Sequence, residues 1–189
     1  MCRRSRDQFL LHVPGVNTCD IPDWPIVQNF AYRIVEKLDG CSKVVEGANP
    51  GRISITGVLP LHTEAFGTTA MARCMFNILP DWMIKIPEVT CFEPWLTRKP
   101  PEWHVDRDGR LCLEFDAHWE QELTEIIDLY TAGLAADYAV SWLLNSTRSL
   151  LDRHLFAFRN GITSWPGAWT FWAHGAEAAK HQLRTLLPR

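Results

Sequence analysis

Residues 104–113 read His104-Val105-Asp106-Arg107-Asp108-Gly109-Arg110-Leu111-Cys112-Leu113, which places a cysteine just after a tight turn. Asp108-Gly109 is a turn signal, because glycine adopts backbone angles that most residues avoid. A thiolate is a good nucleophile, and a nearby imidazole or backbone N–H groups can favour it. A free cysteine is nevertheless more often a buried core residue. The stretch therefore makes Cys112 and His104 candidates for catalysis, with a structural role as the alternative.

Upstream of this stretch, the pattern predicts one helix followed by four strands. Apolar residues recur at helical spacing from Ile26 to Leu38, and Asp23 is a plausible cap. Four segments rich in β-branched residues follow, at 42–46, 52–61, 69–79 and 88–93. Their short connections favour an antiparallel meander.

Downstream, the pattern predicts a long loop and then helices. Residues 94–111 lack periodic apolar positions, and loops of that length inside a compact domain are often functional. Helical spacing then predicts a helix near residues 123–130, a break at Gly133 and a longer helix that ends at Asn160-Gly161. A last helix is expected over 176–187. Helices segregated around an antiparallel sheet define the α+β class.

Composition bounds the class of protein. The chain has 189 residues and a net charge of −3, which suits one compact domain and argues against a nucleic-acid-binding surface. No apolar run approaches the roughly 18 residues of a membrane span. The six cysteines contain no CxxC pair, so we expect no metal site and no disulfide framework. We therefore expect a cytoplasmic protein without a membrane or nucleic-acid partner.

Five short motifs follow one another between Phe76 and Trp119. They are Leu79-Pro80-Asp81-Trp82, Trp103-His104, Asp108-Gly109, Cys112-Leu113 and Trp119 itself. In this order they resemble the centre of a ubiquitin-conjugating enzyme. That family has a strand ending in a proline-rich segment, a histidine-proline-asparagine loop, an Asn/Asp-Gly turn, a Cys-Leu pair and a following tryptophan.

The resemblance implies a UBC-like fold with an N-terminal helix, a four-stranded antiparallel meander, an active-site loop and C-terminal helices. Residues 1–24 would be a loop-rich extension and 25–158 the conjugating domain. Residues 159–189 would be a Trp-rich helical extension packed on that domain. Trp165, Trp169 and Trp172 either pack against the long helix or form a docking surface for a partner.

The same resemblance implies an activity. Cys112 would accept a ubiquitin-like protein from an activating enzyme as a thioester and pass it to an amine of a target protein. The activating enzyme would bind the face of Ile26 to Leu38, and no metal or organic cofactor would be needed.

One position departs from the family. His104 falls where the family has its asparagine, whose amide stabilises the oxyanion formed when a lysine attacks the thioester. A histidine can donate a hydrogen bond to that oxyanion and can also accept a proton from the amine. Such a replacement resembles divergent bacterial members encoded in antiviral operons. The alternative is that His104 only holds the loop.

Other readings stay open. The fold can serve as a non-catalytic binding module for a ubiquitin-like protein, or as a bacterial enzyme that modifies a nucleotide-signalling synthase. An unrelated hydrolase would use Cys112 as nucleophile and His154 as base. His118 is a further candidate to reach the thiol, although a solvated position is expected for it.

Overall fold

A computed structural model describes residues 24–46, 52–63, 68–82, 85–98, 103–113, 119–129 and 132–165. Several predictions lie outside these residues: the cap at Asp23, the extension before residue 24, the side chains of His118, Trp169 and Trp172, and the helix over 176–187. The described residues contain the candidate site and most of the predicted conjugating domain.

The elements follow one another in the predicted order. They are α1 (Trp24–Lys37), β1 (Asp39–Glu46), β2 (Ile53–Thr63), β3 (Thr68–Ile78), β4 (Glu88–Cys91), β5 (Arg110–Leu111), α2 (Trp119–Leu129) and α3 (Ala132–Arg159). One helix, four strands, a loop carrying a cysteine and then helices are thereby confirmed, and so is the α+β class.

The sheet runs in the order β1-β2-β3-β4-β5, with every neighbouring pair antiparallel. The prediction of a loop over 94–111 was wrong at its end, because β5 adds a fifth strand to the meander. Its two residues pair with β4, Leu111 with Val89 and Arg110 with Thr90. Two residues are too few to produce a periodic signal, so only the contact with β4 makes them a strand.

The core lies on one face of the sheet. Along β2 every second residue from Ile53 to Leu61 is buried, as expected for a strand with one covered face. The helices α1 and α3 both contact β2, so they cover this face. The resulting two layers bury one continuous apolar cluster, which supplies the main driving force for folding.

The first helix presents its apolar side to that core. Val27, Phe30 and Ile34 are fully buried, at the spacing that places side chains on one helical face. Phe30 also stacks on Trp82, with ring centroids 4.4 Å apart. Trp82 belongs to the proline-rich connection between β3 and β4, so this connection is anchored on α1.

The last described helix has a defined end. Gly161 has φ 62°, and the Ile162 N–H donates to the Ala157 carbonyl at 2.8 Å, which together form a Schellman cap. The predicted stop at Asn160-Gly161 is thus confirmed. The predicted break between two helices is also confirmed, since α2 ends at Leu129 and α3 begins at Ala132. Its position differs slightly: Gly133 lies in the first turn of α3, where the early N–H groups have no helical partner to lose.

None of the helices in the described ranges, α3 with its 28 residues included, is long and apolar enough to cross a membrane.

Candidate active site

The turn that precedes Cys112 is stabilised by one aspartate. Asp106 Oδ1 accepts hydrogen bonds from the backbone N–H groups of Asp108 at 2.9 Å and Arg110 at 2.8 Å. The Asp106 N–H in turn donates to the Arg110 carbonyl at 2.9 Å, and Val105 bridges Leu111 across the turn. An aspartate favours such turns because its carboxylate replaces a backbone acceptor. These bonds make residues 105–111 a rigid hairpin.

Gly109 seats this hairpin directly on β4. Its φ is 85°, and an added Cβ would lie 2.5 Å from the Cys91 carbonyl oxygen. The Cys91 N–H donates to the Gly109 carbonyl at 2.9 Å. Only glycine allows this backbone-to-backbone approach at a positive φ. The predicted Asp108-Gly109 turn is therefore confirmed, together with the reason for its glycine.

Strand alternation exposes the candidate thiol. Leu111 and Leu113 are buried, and Cys112 between them faces outward and is exposed. Cys74 and Cys91 are buried on the adjacent strands β3 and β4, as predicted for small apolar residues. Of the three cysteines whose side chains fall in the described ranges, only Cys112 can meet another molecule.

His104 is held beside Cys112. Its carbonyl oxygen accepts a hydrogen bond from the Cys112 N–H at 2.7 Å, and both residues line the same cleft. His104 has φ 53°, the left-handed region that residues other than glycine seldom adopt. Burial of the half-buried ring, and then the charge of Arg153, lower the pKa of His104 below its usual 6.5. The lowered pKa favours the neutral form of the ring at pH 7.

The cleft beside Cys112 has a volume of about 510 Å³. One wall is the hairpin, and the other is the connection between β3 and β4, from Leu79 to Glu88. Two ion pairs lie at its rim. Arg110 Nη1 lies 3.2 Å from Glu88 Oε1, and Arg110 Nε lies 3.5 Å from Asp106 Oδ2. An exposed thiol at the edge of an open cleft can form a covalent bond with a large partner, and a histidine that lines the same cleft can exchange a proton during such a reaction.

His154 clamps the loop that carries His104. The Thr97 N–H donates to its Nδ1 at 3.3 Å, so Nε2 carries the proton and donates to the Trp103 carbonyl at 2.9 Å. The side chain is fully buried, and burial lowers its pKa to about 4. Because backbone groups occupy both ring nitrogens, His154 cannot act as a base for Cys112. This contradicts the hydrolase alternative.

Trp165 completes the packing around this loop. Its ring centroid lies 5.5 Å from that of Trp103, 5.3 Å from that of His104 and 5.6 Å from that of His154. The Arg153 guanidinium lies 5.7 Å from the ring. Trp165 therefore packs against the long helix, one of its two predicted roles, and it also contacts the candidate site.

Sequence reasoning missed the role of His154 and of Asp106. The fifty-one positions between Trp103 and His154 carry no local signal of contact. The Asp106 contacts are local, and an aspartate two residues before Asp108-Gly109 is a signal that predicts such a turn. In the part of the chain that the structure describes, no three His, Cys, Asp or Glu side chains come together as a metal site.

No protein-family model, curated protein or solved structure matches this chain. The function must therefore be argued from the chemistry of the cleft and from the order of the motifs.

Proposed function

We propose that this chain carries a ubiquitin-like protein as a thioester on Cys112 and transfers it to an amine of a target protein. The observation that carries the proposal is an exposed thiol held at the end of a hydrogen-bonded hairpin, over an open cleft that His104 also lines. The order of helix, antiparallel meander, loop and helices supports it, since this order resembles ubiquitin-conjugating enzymes.

The first step is a thioester exchange. The Cys112 sulfur attacks the thioester carbonyl carbon of the ubiquitin-like protein on the activating enzyme. A new C–S bond forms, the old one breaks, and the departing thiolate takes up the proton that Cys112 releases. One thioester replaces another, so the step needs no further energy source or cofactor.

In the second step, an amine of the target attacks the Cys112 thioester. An oxyanion forms on the carbonyl oxygen, the C–S bond breaks, an amide forms, and the Cys112 thiol is restored. His104, whose lowered pKa favours the neutral form at pH 7, can take the proton that the attacking nitrogen loses. Its N–H can alternatively donate to the oxyanion.

The proposed surface for the activating enzyme is the polar side of α1. Its apolar residues Val27, Phe30 and Ile34 are buried in the core and cannot contact a partner. Asn29 and Glu36 are exposed on the opposite side. The proposal includes a role in bacterial antiviral defence, and this part of it rests on the resemblance alone.

The test is a loading assay with the full chain, ATP, a ubiquitin-like protein and the activating enzyme of that ubiquitin-like protein. We expect an adduct that a thiol reductant removes. Cys112→Ser should convert it into an oxyester that resists the reductant, and Cys112→Ala should abolish it. An adduct that persists in Cys112→Ala would disprove the proposal.

A second measurement isolates the transfer step. The loaded enzyme is mixed with free lysine, and the loss of thioester is followed over time. His104→Ala should slow this discharge while loading continues. An unchanged discharge rate would remove His104 from the mechanism and leave the role of Cys112 intact.

A further inference from the structure

One side chain of α3, that of His154, makes two hydrogen bonds to the loop before His104. His154 accepts a hydrogen bond from the Thr97 N–H and donates one to the Trp103 carbonyl, so it binds the chain on both sides of residues 99–102. It is fully buried in a helix of 28 residues. A contact from a rigid element places a loop more accurately than contacts within the loop.

The Trp103 carbonyl belongs to the peptide group that ends at the nitrogen of His104. The φ angle of His104 is the rotation between this peptide group and the His104 carbonyl. His154 holds the first group at 2.9 Å, and the Cys112 N–H holds the second at 2.7 Å. The relative orientation of the two groups depends on both φ and ψ of His104, so holding both groups restrains the left-handed φ of 53°.

This φ costs free energy for a residue with a Cβ, so neighbouring contacts must maintain it. His104 is the one non-glycine residue with positive φ among those that the structure describes. A conformation of this kind relaxes when one of its two fixed carbonyls is released. The Cys112 N–H would then lose its acceptor.

We infer that His154 is a positioning residue of this site: its hydrogen bond to the Trp103 carbonyl holds His104 in the left-handed conformation that presents the His104 carbonyl to the Cys112 N–H. His154 touches neither the thiol nor a substrate, and it acts through the backbone of His104. The effect on catalysis rests on the proposed function, whereas the effect on the backbone does not.

The two hydrogen bonds of His154 can be separated by matched substitutions. A glutamine places an amide nitrogen near the position of Nε2, so His154→Gln retains a donor for the Trp103 carbonyl. An asparagine places its oxygen near the position of Nδ1, so His154→Asn retains only the acceptor for Thr97. His154→Met matches glutamine in shape and retains neither.

The direct readout is amide hydrogen exchange of the Cys112 N–H by NMR in the full chain. We expect His154→Gln to protect this N–H as the wild type does. We expect His154→Asn and His154→Met to exchange it about tenfold faster, the factor for one lost hydrogen bond. The Ile55 N–H in β2 reports global stability and normalises the comparison. Equal protection of Cys112 in His154→Gln and His154→Asn would overturn the inference, even if His154→Met failed to fold.

The catalytic readout is discharge of the Cys112 thioester to free lysine, in wild-type and His104→Ala backgrounds. We expect His154→Asn to slow discharge in the wild-type background and to add no further loss to His104→Ala. The same fold-loss in both backgrounds would show that His154 does not act through His104, and would overturn the inference. If the wild type formed no thioester, the proposed function would fail, and hydrogen exchange would still decide the role of His154.

Discussion

The carbonyl oxygen of His104 accepts a hydrogen bond from the backbone N–H of Cys112 at 2.7 Å, across the Asp108-Gly109 turn. This bond fixes the residue that carries the thiol. It also engages the Cys112 N–H within the turn, so this group is not available to stabilise an oxyanion. In the proposed reaction another group would have to supply that donor, and His104 lines the same cleft.

The left-handed backbone at His104 can be tested by substitution. We expect His104→Gly to be more stable than His104→Ala by about 1 kcal/mol, because alanine carries a Cβ into the left-handed region and glycine does not. His104→Asn should stay close to the wild type, since asparagine tolerates this region. Urea denaturation at pH 7.5 measures the free energy of unfolding of each of the three variants. Equal stability of His104→Gly and His104→Ala would show that this φ is not strained.

The pH dependence of discharge tests His104 as a proton acceptor. The ratio of the wild-type rate to the His104→Asn rate cancels the titration of the attacking amine. Because burial and Arg153 lower the pKa of His104 below 6.5, the ratio should be constant above pH 7 and fall in more acidic solution as the ring is protonated. At its plateau it should reach about 10², as for general base catalysis. A ratio independent of pH would leave only a hydrogen-bonding role.

Two glycines form a matched pair for the hairpin. An alanine at Gly109 would place its Cβ 2.5 Å from the Cys91 carbonyl oxygen, at φ 85°. Gly161 has φ 62° and no atom within 4 Å of an added Cβ. We expect Gly161→Ala to lower the free energy of unfolding by about 1 kcal/mol, because only the backbone angle opposes the alanine there. We expect Gly109→Ala to lower it by about 3 kcal/mol or more, because the hairpin must also separate from β4. Thermal or urea unfolding would measure both, and similar costs would contradict this account of Gly109.

Asp106 offers a test of the turn itself. Asp106→Ala removes the acceptor for the N–H groups of Asp108 and Arg110 and should cost about 1–2 kcal/mol. Asp106→Asn retains the Oδ1 acceptor and should recover most of that loss. Urea denaturation gives the stabilities, and alkylation by iodoacetamide reports the exposure of Cys112. If Asp106→Asn were as unstable as Asp106→Ala, the hydrogen bonds would not be the stabilising feature.

The buried His154 predicts a loss of stability in acid. Its pKa is about 4 in the folded chain because burial disfavours the charged ring, against about 6.5 when unfolded. Between these values the unfolded chain binds a proton that the folded chain does not, so stability falls as the pH is lowered from 6.5 to 4. The contribution of His154 to the free energy of unfolding should fall by roughly 3 kcal/mol over this range. Above pH 7 this contribution should not change with pH.

The measurement is urea denaturation at intervals between pH 4 and pH 7.5, in wild-type and His154→Gln chains. The difference between the two curves removes the contribution of the other titrating groups, including His104. Parallel curves would mean that His154 is not buried as a neutral ring.

Much of the fold could be predicted because its signals are local. The helical spacing of Val27, Phe30 and Ile34 predicts α1, and the alternation along β2 predicts a strand with one buried face. The strand β5 could not be predicted, since its two residues become a strand only by pairing with β4. The break between α2 and α3 could be predicted, but its exact position could not, because Gly133 falls in the first turn of α3 and not before it.

The sequence by itself determined the order of the elements and the turn before Cys112. Turn chemistry and periodicity depend on neighbours along the chain, so they can be read there. Only the tertiary structure decided that His104 adopts a positive φ, that burial and Arg153 lower the pKa of its ring, and that His154 fastens its loop. Burial and hydrogen bonding between residues fifty positions apart depend on how α3 packs against the loop, and a linear sequence does not contain that contact in any local pattern.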